Sequence, residues 1–177
     1  MHKSDIALLL SQEHPAGVEA LKQVRPSAIL RYLTGRLCSH DEAEKWRAVV
    51  AIGFLVDQRD LVDEVRVREL LRRYVWAMSD ESGNVPFGIP EAMGEILTRR
   101  PAFQGEFLPI LISTLTHEEM EQTGPIERGV VWALGRVGPP IRSRSPGAVD
   151  AIRAMASTHP DEQTRRTAEE SLQRIMA

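Results

Sequence analysis

The sequence predicts an all-α fold, a short right-handed α-solenoid of about four helical hairpins filling a single domain over residues 1–177. Three observations carry this expectation. Apolar residues recur at spacings of three and four, as in Leu61, Val65, Val67, Leu70, Leu71, Tyr74, Val75 and Met78, with Arg, Asp and Glu between them. The sequence has little strand-like alternation and no Asn-Gly hairpin signal. A nine-residue pattern also returns along the chain at nearly constant steps.

Start and stop signals divide the chain into short helices. The first two are expected at 4–12, around the apolar run Ile6 to Leu10, and at 15–24, behind Pro15. Pro26 opens a helix at 26–38. Ser39 and Glu42 read as a capping box for 41–56, in which the hydroxyl takes the third backbone N–H and the glutamate reaches back. An amphipathic helix follows at 60–78. A stretch rich in turn formers, Asp80 to Glu91, leads into a helix at 89–99, and Pro101 separates this from one at 104–116. Thr116 and Glu119 form a second capping box, and Pro125 opens 125–137. Pro139 and Pro140 break the chain before 146–157. Thr158 and Asp161 form a looser cap for 161–176, with Pro160 at an early helical position.

The repeat pattern is an apolar residue, three variable residues, a second apolar residue and then glycine. Lys45 to Gly53 carries it with Ala48 and Ile52, and Glu127 to Gly135 with Val130 and Leu134. Pro86 to Gly94 fits with Ile89 and Met93. Arg165 to Gln173 and Lys3 to Ser11 fit without the glycine. The copies begin at 3, 45, 86, 127 and 165, so the steps are 42, 41, 41 and 38. Pro86 and Pro90 fall in helical register, so an irregular third copy is expected. The glycine either admits a close neighbour or ends a helix, the second role being the one expected of Gly138.

A period near forty with two helices per unit resembles the HEAT repeat family, and the strings Trp132 to Gly135 and Ala51 to Gly53 look like the end of a HEAT second helix. The nearest kind is the short HEAT-like repeat of phycobilisome-lyase-type and other small bacterial proteins. The resemblance implies stacked hairpins that bury a continuous core and leave a concave and a convex side.

Composition narrows the function. The 177 residues hold 22 Lys plus Arg against 25 Asp plus Glu, for a formal net charge of -3. One cysteine, Cys38, excludes an intrachain disulfide and a Cys-rich zinc site, and it reads as a small packed residue. The longest apolar run, Ala48 to Val56, is under half of the roughly 20 residues that a membrane span needs. Ile6 to Leu10 is too short for a signal peptide. A soluble, cytoplasmic protein without a membrane association is expected.

On a helical wheel, Ala48, Ala51, Ile52, Leu55 and Val56 make a core face, with Trp46, Val50 and Phe54 opposite. In the 127 copy Ile126, Val130, Ala133, Leu134 and Val137 face the core, and Arg128, Trp132 and Arg136 lie opposite. The equivalent residues of the middle copy are Phe87, Glu91 and Glu95. The resemblance puts second helices on the concave side. The candidate partner- or ligand-binding residues are then Trp46, Phe87, Glu91, Glu95, Arg128, Trp132 and Arg136. Arginines fork onto carboxylate or phosphate, and tryptophan stacks. The same residues admit a structural reading, in which Glu91 with Arg128 and Glu95 with Arg136 form a ladder between repeats and Trp46 and Phe54 belong to the core.

A second candidate is the turn-rich loop with Asp80, Glu81, Ser82 and Asn84. Asp80, Ser82, Asn84 and Glu91 match calcium-loop positions, but Val85 stands where the sharp turn needs glycine. It reads equally as a turn that aims the next repeat. The five histidines (His2, His14, His40, His117 and His159) fall near helix boundaries without metal-binding spacing. No glycine-rich phosphate loop or G-x-S-x-G motif occurs. No metal, cofactor or catalytic residue is expected.

The leading expectation is therefore a non-catalytic scaffold that binds a protein partner on its concave face, with a small anionic ligand as the other occupant. The resemblance also allows an enzyme or ligand-binding accessory. A tetrapyrrole-type lyase would hold propionates with Arg128 and Arg136, and a DNA glycosylase would use Trp46, Trp132 and Glu91. The net charge argues against nucleic acid, and Arg66, Arg68, Arg72 and Arg73 are interleaved with Asp63, Glu64 and Glu69.

Overall fold

The computed structural model describes residues 25–79, 87–116 and 124–177. The helices expected at 4–12 and 15–24, the loop candidates Asp80, Glu81, Ser82 and Asn84, and His117 with Glu118 and Glu119 lie outside these residues.

Every regular element among the described residues is helical. In order they are α1 (Pro26–Arg36), α2 (Glu42–Asp57), α3 (Glu64–Met78), α4 (Ile89–Arg99), a 3-10 turn (Pro101–Phe103), α5 (Gln104–Thr116), α6 (Pro125–Val137), α7 (Pro140–Arg144), α8 (Pro146–Thr158) and α9 (Glu162–Met176). The pairs α1/α2, α3/α4, α5/α6 and α8/α9 are the four hairpins of an α-solenoid. Their second helices stack in the order α2, α4, α6, α9.

Local chemistry explains the boundaries and moves two of the expected caps. Asp41, not Ser39, caps α2: its carboxylate accepts the N–H groups of Ala43 at 2.9 Å and Glu44 at 3.3 Å. Ser39 instead bonds the Glu44 carboxylate. Asp161, not Thr158, caps α9 by accepting from Thr164 N–H at 2.8 Å. A carboxylate adds favourable charge at the positive end of the helix, which a hydroxyl does not. Asp63 caps α3 in the same way through Arg66 N–H at 2.8 Å. Gly138 ends α6 with φ 76, in the left-handed region that favours glycine, and its N–H reaches Leu134 O at 3.0 Å.

From Ile89 onward the third copy is a regular helix, and Pro86 lies outside the described residues. Pro90 sits in the first turn of α4, where a missing N–H costs nothing, and the helix starts at Ile89. Cys38 is exposed and not packed.

One continuous core runs through the hairpins, from Ile29 and Leu33 through Ile52, Leu71, Met93, Ile96 and Leu134 to Ile152 and Ile175. Each such side chain, once buried, contributes about 1.5–3 kcal/mol. The expected core face of α6 is buried throughout. In α2, Lys45, Val49 and Gly53 join the expected set, and Ala51 is half-buried. Polar bonds pin the elements: the Tyr74 and Thr34 hydroxyls meet at 2.9 Å between α3 and α1. Buried Arg100 donates to Val56 O at 2.6 Å and Val62 O at 2.7 Å, satisfying backbone at the end of α2 and in the turn that follows.

Candidate functional site

The candidate site is built around α4, which packs against α2 on one side and α6 on the other. Every residue from Ile89 to Leu97 is buried. Glycines make the close approach feasible. A Cβ on Gly94 would lie 2.7 Å from Ala133 Cα, and one on Gly53 would lie 2.8 Å from a Glu95 carboxylate oxygen. A Cβ on Gly135 would collide with Ser171 of α9. The repeat glycine therefore admits the neighbouring helix in these three copies.

Trp46 of α2 and Trp132 of α6 meet across α4, with ring centroids 4.9 Å apart and planes tilted by 59°. Both are half-buried and pack on the core. Lys45 Nζ lies 5.5 Å from the Trp46 ring centroid. Among the other candidates of this face, Val50 is 52% and Phe87 42% exposed, so both are open to solvent, and Phe54 is half-buried. Two of the expected aromatic residues, Trp46 and Trp132, thus form a pair that the wheel did not foresee.

The two carboxylates of α4 are not on that surface. Glu91 and Glu95 are each only 4% exposed. Glu95 accepts from Arg136 Nε at 2.7 Å and Nη2 at 3.4 Å, and from Arg99 Nε at 3.1 Å. Arg99 also reaches Asp57 at 3.6 Å. This rung of the expected ladder exists. The other does not, because Arg128 pairs with Asp161 at 3.4 Å.

Glu91 occupies a notch. A Cβ on Gly129 would stand 2.6 Å from its Oε2, so glycine there makes room for the carboxyl group. Oε2 has no hydrogen-bond partner. Oε1 lies 3.9 Å from Lys45 Nζ, which bonds Glu42 at 2.9 Å instead. Burial pushes the Glu91 carboxyl up to about 7; its own backbone N–H, Lys45 and Arg128 pull the other way, and Glu42 adds to the rise.

Sequence reasoning passed over Lys45, Arg99 and Gly129. Lys45 carried a legible signal. It lies on the core stripe with Val49 and Ile52, and a lysine on such a stripe needs a buried acid. Gly129 gave none, since its role depends on the next repeat. His159, expected to act only at a helix boundary, also bonds Glu127 of α6 through Nε2 at 3.1 Å.

Among the described residues no three His, Cys, Asp or Glu side chains gather as metal ligands, and no helix is long and apolar enough to cross a membrane. A cavity of about 250 Å³ lies between α1 and α3, lined by Leu30, Arg31, Arg66, Arg73 and Tyr74.

No family model matches the chain. An uncharacterized protein of Archaeoglobus fulgidus is 26% identical over 133 residues, covering 75% of this chain and 64% of that protein, so the chain spans less than two thirds of that relative. Among solved structures, an engineered protein superposes over 96% of this chain and 79% of its own, with a TM-score of 0.57 and 18% identity. A designed armadillo repeat protein in complex with the peptide (KR)4 covers 96% of this chain and 80% of its own, with a TM-score of 0.54 and 16% identity. These likenesses show the fold, an α-helical repeat array.

Proposed function

We propose that the chain is a non-catalytic interaction module of the HEAT-like kind, holding a protein segment on the concave face formed by α2, α4 and α6. The observation that supports this best is the half-buried Trp46–Trp132 pair; Val50 of α2 and Phe87, just ahead of α4, are exposed. Aromatic anchors in a partly desolvated patch dominate binding at protein interfaces. Arg128 and Arg136 stand at the margin with part of each side chain in solvent, where a guanidinium forks onto a carboxylate. The occupant that suits this face is a peptide segment with an apolar anchor beside acidic residues. The designed armadillo protein shows that an array of this fold can carry a peptide.

Burial of Glu91 weakens the enzyme readings. The acid that a glycosylase-like site would use is closed off from a substrate, and a general acid must reach the proton it transfers. In this role the protein works in the cytoplasm with a protein partner and no cofactor.

A display library of short peptides tests the reading. Peptides enriched on the wild type should carry an aromatic or aliphatic anchor near Asp or Glu. They should lose at least about tenfold in affinity, about 1.4 kcal/mol, on Trp132→Ala/Arg128→Ala. Equal binding to a variant with unchanged circular dichroism refutes it.

A further inference from the structure

Two carboxyl groups on α4 share the same burial, yet only one is tied down. Glu95 receives three N–H···O bonds from two arginines. The Oε2 of Glu91 receives none, and Lys45, 3.9 Å from Oε1, is engaged with Glu42. An ionised carboxylate in that position is poorly satisfied, and the neutral acid fits the notch at Gly129 better. Gly129 lies one turn before Trp132 on α6, and Lys45 Nζ stands 3.9 Å from Glu91 Oε1 and 5.5 Å from the Trp46 ring centroid. Lys45 and Gly129 are the links through which the carboxylate can reach the two rings.

We propose that Glu91 is a proton-operated latch on the Trp46–Trp132 contact. As the neutral acid it seats against Gly129 and the rings stay together, whereas as the carboxylate it withdraws toward Lys45 and Arg128 and the rings part. The charged groups that face it are Lys45 and Glu42 of α2 and Arg128 of α6, with Glu95 one turn further along α4. The other helices packed on α4, α3 and α5, turn charges toward each other: Arg68 and Arg72 hold Glu106 at 2.9 and 3.3 Å. Burial sets the Glu91 transition near neutral pH, well above an ordinary glutamate. A face that changes shape in this range responds to small changes in pH. The latch stands whether or not a peptide binds there.

The chain has three tryptophans, and Trp76 is 84% exposed. A Trp76→Phe background therefore reports on Trp46 and Trp132 alone. Acrylamide quenching of this protein should rise about twofold between pH 5.5 and 8.5, with a midpoint near 7. Adding Glu91→Gln should abolish the transition and hold the rings in their low-pH state. Adding His159→Gln, which removes the bond to Glu127 between α6 and the last hairpin, should leave it in place. Should the Glu91→Gln variant not fold, carboxyl NMR of glutamate-labelled Trp76→Phe protein should show one resonance titrating near pH 7. A flat quenching profile, a transition that survives Glu91→Gln, or glutamate carboxyls that all titrate below pH 5.5 would each overturn the latch.

Discussion

Glu91 and Glu95 lie one turn apart on the same helix and are equally buried, yet the molecule treats them differently. Around Glu95, arginines from α4 and α6 close a network that extends to Asp57. Around Glu91, a glycine makes space and the nearest cation is turned to another acid. Burial alone does not fix what an acid does. The number of donors within bonding distance decides whether it locks two repeats together or stays free to take up a proton.

The largest effect should come from removing the surface on which both halves of the comparison depend. Gly94→Val drives a side chain into the backbone of Ala133. It should cost about 3 kcal/mol or prevent folding, as measured by urea denaturation. Arg136→Ala should come next. It leaves the buried Glu95 carboxylate with Arg99 alone and should cost about 2 kcal/mol by the same measurement.

Glu91→Gln should act differently at different pH. The folded protein holds this proton up to about 7, against an ordinary value of 4.5. The stability gained from protonation is therefore complete below about pH 4.5, declines as pH rises, and is gone above about 7. The variant should be close to neutral at pH 5 and more stable than the wild type at pH 8, by on the order of 1–2 kcal/mol, in paired thermal melts. Identical shifts at both pH values would remove the distinction between the two acids. Arg128→Ala should have the smallest effect, within about 0.5 kcal/mol, because its bond to Asp161 is long and solvent-screened.

Much of the fold was legible in the sequence because apolar spacing and repeat steps are properties of a single helix and its copies. Val130, Leu134 and Ile52 face the core where the wheel places them. The caps shifted because Asp41 and Asp161 outcompete nearby hydroxyls, which spacing alone does not weigh. The site was only half legible. The partnership of Glu95 with Arg136 follows from equivalent register, but that of Arg128 was diverted by Asp161 of the last hairpin. Burial of Glu91 and the Trp46–Trp132 contact depend on how closely α2, α4 and α6 approach, a distance between helices that no single-helix pattern contains.

The glycines have a consequence for how errors travel along the array. Gly53, Gly94 and Gly135 bring each second helix against the next with no side chain between them at the contact. A row laid that closely, like stones set without mortar, has no slack in which to absorb an added group. Glycine in this chain is thus a unit of spacing, and each one replaced by a larger residue would displace the neighbouring repeat.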